Sequence, residues 1–314
     1  MAQVIIIGVG AGLAAALLFL SPASGTALAF PLFALTGLPL VIASLGWGLL
    51  AGFVAALVGA VGLYALFPAT PTAFIFLGLF AVPLLWASRL AGLSREAEGG
   101  VEWFPAGRIL LHLAVASAVG VVCVAFAVNY SPEEMLTRAT AAVTEWMSQM
   151  AQPGAVPPSA EQVASGIRLY VTLLPFLFGV LMTFILALDL WLGSLVARMS
   201  GRLRRPVDRL PFIDIPRELL PGFVVTAALG FLPGAPGEAA AVVAGALGAA
   251  LALIGLSVLH VVTLGIGGRI FILGLNYFLL VVSGLPFVLF ALLGAAEGFL
   301  QIRQRRLPNS TKLD

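Results

Sequence analysis

Residues 168–217 read RLYVTLLPFLFGVLMTFILALDLWLGSLVARMSGRLRRPVDRLPFIDIPR. The first part is a run of about 29 mostly apolar residues, long enough to cross a bilayer with some tilt. Arg198, Arg202, Arg204, Arg205, Arg209 and Arg217 then fall within one short loop. Short loops rich in Lys or Arg stay on the cytoplasmic side, so this stretch predicts the orientation of the whole chain. It also carries Asp189, the acid placed deepest in an apolar run.

Composition agrees with that reading. Of 314 residues, 61% are hydrophobic and only 10% are charged, with a mean hydropathy of +1.10. Soluble domains carry about 25% charged residues. Long uninterrupted apolar runs, rather than short alternating segments, argue against a membrane β-barrel. The expected fold class is therefore all-α: one polytopic transmembrane bundle over residues 1–314. It should have about eight spans, an amphipathic outer helix and one short or broken segment. The net charge of +2 gives no reason to expect a nucleic-acid partner. The lone Cys123 excludes an intramolecular disulfide and a cysteine-based metal site.

Outward from the opening stretch, the first charged side chain after Met1 is Arg89. A secretory leader wants a basic start, so residues 4–20 read as a retained span. Spans at 27–45, 47–67 and 72–90 follow, the first interrupted by Pro31 and Pro39. Residues 89–108 read as a mixed-charge loop, and 101–128 as the fifth span. Residues 129–167 form the one sizeable hydrophilic insert. Ser131-Pro132-Glu133-Glu134 is a helix start, with an N-cap Ser, Pro at the first position and acids in the first turn. Apolar residues recurring from Met135 to Met150 predict an amphipathic helix of about 19 residues lying on the membrane or the bundle. Pro153 to Pro158 should end it, and Ser159-x-x-Gln162 is a capping box for the next helix. Pro175 is the expected kink in the sixth span.

After the basic loop come apolar segments at 219–232, 238–263 and 269–299, the last interrupted at Ser283-Gly284-Leu285-Pro286. Three full crossings would strand the closing Arg303, Arg305, Arg306 and Lys312 on the wrong side. One segment must therefore fail to cross. The 219–232 segment, only about 14 residues long, is the first suspect; the interrupted last segment is the second. An even number of crossings leaves both termini cytoplasmic, with 198–217 a cytoplasmic loop, 303–314 a cytoplasmic tail and 129–167 outside.

Ionisable and amide groups at membrane depth are costly and mark function by default. Asp189 lies roughly 13 Å along its helix from Arg198, Asn276 roughly 10 Å from Arg269, and His112 roughly 6 Å from Arg108. His260 precedes a Gly-rich turn at 265–268. All four fall in the same half of the bilayer, so Asp189, Asn276, His260 and His112 are a candidate polar cluster. The bland alternative is separate satisfaction by backbone carbonyls. Asp189 is expected to point into the bundle and to meet a polar group of the last two long helices. Protonation would remove its cost, which makes it a candidate proton-coupled switch. A second feature is a stripe of small residues, Gly48, Gly52 and Gly59, repeated in the first helix by Gly8 and Gly12. Such stripes let helix backbones approach closely, either inside the fold or against another membrane subunit. No HExxH, GxSxG, Walker loop or CxxC is present, so neither a metal nor a cofactor is expected, nor an enzyme.

The order of features resembles the YybS-like family of uncharacterised bacterial integral membrane proteins. That family is distantly similar to the S components of energy-coupling-factor vitamin transporters. Pro39, Gly48 and Gly52 match a Pro-then-Gly-xxx-Gly pattern, and Ser131-Pro132-Glu133 the start of an outer insert. Pro175, Leu210-Pro211-Phe212, the stretch from Gly255 to His260, and Glu297 followed by Arg303, Arg305 and Arg306 match later features. Asp189 stands where relatives often have Asn, and Glu297 where they often have Asp. The resemblance implies an inner-membrane location and supplies no substrate or catalytic residue. Two functions follow as expectations. One is a small-molecule carrier or substrate-capture subunit with a small-molecule ligand. The other is a non-transporting scaffold or regulator of an envelope assembly. The lipid bilayer is a partner under both.

Overall fold

The computed structural model describes residues 1–98, 100–150, 159–206, 213, 215–284 and 286–306. The chain is about 80% helical. Among the described residues, seven helical segments are long and apolar enough to cross a membrane. The expected Pro-rich break at 153–158, the 210–212 motif, Arg209, Leu285 and Lys312 lie outside the described residues.

The first spans are α1 (Ala2–Phe19), the pair α2 (Ala29–Phe33) and α3 (Leu38–Trp47), and α4 (Leu49–Leu66). The second span is broken at residues 34–37, where Pro39 sits in the first turn of α3. Proline fits there because a first-turn N–H has no intrahelical partner. A π-helical turn, Leu77–Ala81, joins α5 (Thr72–Phe76) to α6 (Val82–Ala91).

The charged loop that follows is not irregular, and the fifth span does not begin at 101. Strands β1 (Ser94–Ala97) and β2 (Gly100–Trp103) form an antiparallel hairpin in which Arg95 faces Glu102. Their ion pair closes at 2.6 Å. Helix α7 (Ala106–Ala127) starts only after Pro105. The outer helix α8 (Pro132–Met150) has the expected 19 residues and packs along α9 (Ala160–Met199). Ser159 and Gln162 cap α9 reciprocally, at 3.3 and 2.9 Å. At 40 residues α9 extends about 60 Å and continues through Pro175.

Contact register orders the late segments. In α10 (Leu219–Leu229), Gly222 and Phe223 lie beside Leu247 and Gly248 of α11 (Ala235–Val262), while Gly230, just beyond α10, lies beside Ala241. The two helices are antiparallel. Glu238, in the first turn of α11, is close enough to Tyr130 to act on its phenol, so α11 starts at the α8 end of the bundle. The first suspect, 219–232, holds a helix of 11 residues, about 16 Å long, which is not among the span-length helices and runs back along the first half of α11. The last segment is the one that doubles back, as α12 (Arg269–Ser283) and α13 (Pro286–Leu300), each 15 residues. Gly284 makes the reversal at φ +66, a left-handed turn that glycine adopts without a Cβ clash. The chain then turns at Gln301 into α14 (Ile302–Arg306).

The core is centred on α11, which is buried along most of its length against α9, α13 and α7. Its small residues allow this. A Cβ on Gly255 would collide with the Phe290 carbonyl oxygen, and one on Gly294 with that of Leu251. Small residues at a crossing let dispersion contacts form backbone to backbone, which matters where lipid removes the hydrophobic drive between helices. The large apolar side chains that remain exposed, such as Phe53, Leu57 and Tyr64 of α4, form the surface that meets acyl chains.

Candidate functional site

Two constellations stand out. The first is at the break between α2 and α3. Asp189 of α9 is fully buried, and its Oδ2 accepts the Gly37 N–H at 3.0 Å. Gly37 is the N-cap of α3, so the carboxylate sits at the positive end of that helix dipole. The Leu38 amide lies beside it, although it donates to Leu35 O at 3.1 Å. Thr36, also fully buried, ties the break together by donating to Phe33 O at 2.7 Å. Gly37 is required for this approach: a Cβ there would meet Leu84 and come within 2.5 Å of Asp189 Oδ2. The second carboxyl oxygen, Oδ1, is buried with no hydrogen-bond partner among the described residues.

Asp189 thus points into the bundle, but its partner is not the expected one. Its hydrogen bond is to the second span, and the four candidate polar residues are not brought together around it. Asn276 Nδ2 donates to Ile272 O at 2.8 Å, within its own helix. His260 Nδ1 pairs with Leu256 O at 2.9 Å, and its other nitrogen lies 3.4 Å from the Tyr277 hydroxyl. His112 Nδ1 pairs with Arg108 O at 2.8 Å, and its ring packs edge-on to Phe104. The reason is local supply: each of these rings and amides finds a carbonyl four residues back. The Asp189 Oδ2 is an acceptor, and the interior of α9 has no spare N–H to give it.

The glycine stripe also divides. Gly52 fits against Ser44 and Leu85, and Gly59 against Phe76 and the Gly12 carbonyl, so both serve internal packing. Gly8 and Gly12 receive Ala51, Val54 and Ala55 of α4. Gly48 has no neighbour and is not part of the stripe. It adopts φ +93 and ψ 164 at the sharp joint between α3 and α4, a conformation open essentially to glycine alone.

The second constellation is a cleft of about 1620 Å³ at the arginine-rich end. The β-hairpin, the start of α7, residues 213, 215–218, 220 and 221, and α13 with α14 form its walls. Arg95, Arg108 and Arg217 line its mouth, and it reaches inward to Leu251 and Gly294 of the α11–α13 crossing. At its edge lies a buried ion pair, Glu297 Oε1 to Arg303 Nε at 2.8 Å, with both side chains less than 5% exposed. Arg303 Nη1 donates to Ser257 Oγ at 3.2 Å and Nη2 to Ile213 O at 2.9 Å. Glu297 Oε2 also accepts the Ile302 N–H at 2.7 Å, capping α14. One group thus fixes α11, α13, α14 and the approach to α10. Nearby, Arg205 donates to Phe104 O at 2.7 Å, and Arg202 stacks on Trp47 with 4.4 Å to the ring.

Sequence reasoning missed Gly37 and Ser257. Gly37-Leu38-Pro39 carried a signal, since Gly followed by Pro in the first turn is a helix restart inside an apolar run. Ser257 carried none. No group of three or more His, Cys, Asp or Glu side chains suited to a metal occurs among the described residues. No family model matches the chain, and no curated protein or solved structure matches it either.

Proposed function

We propose that the chain is a multi-pass carrier or substrate-capture subunit of the bacterial inner membrane. It takes a small anionic solute at the cleft on its arginine-rich end. The observation that carries this reading is the cleft itself, which Arg108 and Arg217 line beside Glu218 and the paired Arg95 and Glu102, with Leu251 and Gly294 of the α11–α13 crossing in its wall. Guanidinium groups around an apolar floor suit a solute with a carboxylate or phosphate head and an apolar body. The broken second span and the doubled-back last segment are of the kind that line solute paths in membrane carriers. The resemblance to the YybS-like family, and through it to S components, points the same way.

The arginine-rich end is assigned to the cytoplasm. Arg89, Arg95, Arg108, Arg198, Arg202, Arg204, Arg205, Arg217, Arg303, Arg305 and Arg306 cluster there, and Glu133, Glu134, Glu145, Glu161 and Glu238 gather at the other end. With α11 starting at the acidic end and α12–α13 doubling back, both termini are cytoplasmic. A scaffold reading draws on α8, whose Trp146 and Met150 are exposed on the outer end.

Native mass spectrometry of the purified protein separates the two. The carrier reading expects a co-purifying anionic solute that is lost in Arg108→Ala/Arg217→Ala. Bare protein, with no thermal shift from a panel of small carboxylates and phosphates, would favour the scaffold.

A further inference from the structure

The two oxygens of the Asp189 carboxyl have different surroundings. Oδ2 is held by the Gly37 N–H at the start of α3, and Oδ1 is buried against the protein with no donor. An ionised carboxylate spreads its charge over both oxygens and needs donors or a cation at each. A protonated one needs less: its carbonyl oxygen accepts one N–H, and its hydroxyl carries the proton. With neither donor nor acceptor at Oδ1 among the described residues, a neutral hydroxyl there costs less than its share of a buried charge.

Among the described residues, the surrounding elements supply no counter-ion. Helices α3, α6, α7, α8 and α11 pack on α9. No ionisable side chain occurs on α3. The only one on α6 is Arg89, exposed near its end. Helix α7 offers Arg108, His112 and Cys123, the histidine paired with Arg108 O. Helix α11 offers Glu238 at one end and His260 at the other, bonded to Leu256 O. Helix α8 holds Glu133, Glu134, Arg138 and Glu145, all exposed, with Arg138 paired to Glu134. On α9 itself Glu161, Arg168 and Arg198 lie more than two turns away. Among the described residues, the one hydrogen bond to the Asp189 carboxyl comes from the Gly37 backbone.

We propose that Asp189 is a proton-binding site in the membrane-spanning core: the proton resides on Oδ1 while Oδ2 holds Gly37, so that loading and release of the proton are tied to closing and opening of the α2–α3 break. Release leaves a carboxylate that must find water or a cation, and only separation of α9 from α3 admits one. The ligand is a proton, and the site needs no co-reactant. The inference does not rest on the carrier reading, because it holds whatever solute, if any, the cleft takes.

Infrared spectroscopy of the full chain in lipid nanodiscs tests it directly. The chain has four aspartates, Asp189, Asp208, Asp214 and Asp314, and Asp189 lies within a helix of span length. Labelling aspartate with ¹³C at the side-chain carboxyl identifies its band without any substitution. At pH 7 the expected result is a protonated-carboxyl stretch that moves on ¹³C labelling. It should vanish in Asp189→Asn and shift without vanishing in Asp189→Glu. Absence of any label-sensitive protonated-carboxyl band at pH 7 would overturn the proposal, as would a band that persists in Asp189→Asn. If Asp189→Asn does not fold, the labelled wild-type spectrum alone decides.

Discussion

Replacing Arg303 with Met should unfold the arginine-rich end before the rest of the bundle. Among the described residues the side chain reaches Glu297 Oε1 at 2.8 Å, Ser257 Oγ at 3.2 Å and Ile213 O at 2.9 Å. Removing one member of a buried ion pair typically costs about 3–5 kcal/mol, mainly because the remaining charge has no compensation. Glu297 keeps two backbone donors after the change, the Ile302 and Arg303 N–H groups. The loss should therefore fall near the lower figure, about 3 kcal/mol. Glu297→Gln leaves an amide oxygen to accept those donors. The double variant Glu297→Gln/Arg303→Met should then lose less than the sum of the singles, with a coupling of about 1–3 kcal/mol. Equilibrium unfolding in mixed micelles, run as a double-mutant cycle, measures both quantities. A loss below about 1 kcal/mol for Arg303→Met, together with additive singles, would refute the reasoning. The pair would then be a surface interaction with little bearing on the cleft wall.

Four further outcomes are expected. Gly255→Ala should destabilise by about 1–3 kcal/mol or more, since its Cβ meets backbone rather than a movable side chain; Gly166→Ala, with open space around it, should be neutral or slightly stabilising in the same unfolding assay. Gly48→Ala and Gly48→Leu should cost about the same, 1–3 kcal/mol, because the penalty is conformational; a much larger loss for Leu would mean that Gly48 packs against something. Asp189→Leu should be less stable than Asp189→Asn by about 1–3 kcal/mol, because Leu leaves the Gly37 N–H without an acceptor. In a Cys123→Ala background, a cysteine at Ser148 should react with an impermeant maleimide in intact cells while one at Ser200 should not; the reverse pattern would invert the assigned orientation.

The class of this protein was legible in its sequence because a bilayer constrains composition directly. Apolar runs of span length, caps such as Ser159 with Gln162, and the start of α8 at Pro132 follow from local chemistry, and the structure shows each of them. The hairpin at 94–103 was less visible: it has only four residues per strand, and its turn lies in a run of charged and glycine residues with no apolar alternation. Depth along a helix placed Asp189, Asn276, His260 and His112 in one half of the membrane, but depth says nothing about azimuth. Which face each helix turns inward depends on how helices cross. Here that was decided by glycine contacts such as Gly255 with Gly294, and Gly12 with Gly59. Those contacts turned Asp189 toward Gly37, 152 residues away in sequence, and joined Glu297 and Arg303 to Ser257. The sequence by itself determined the solvent, the segments and their ends, because these are properties of short stretches. Tertiary packing decided which polar groups meet, because a buried carboxylate takes the nearest unsatisfied donor that the crossing helices leave it.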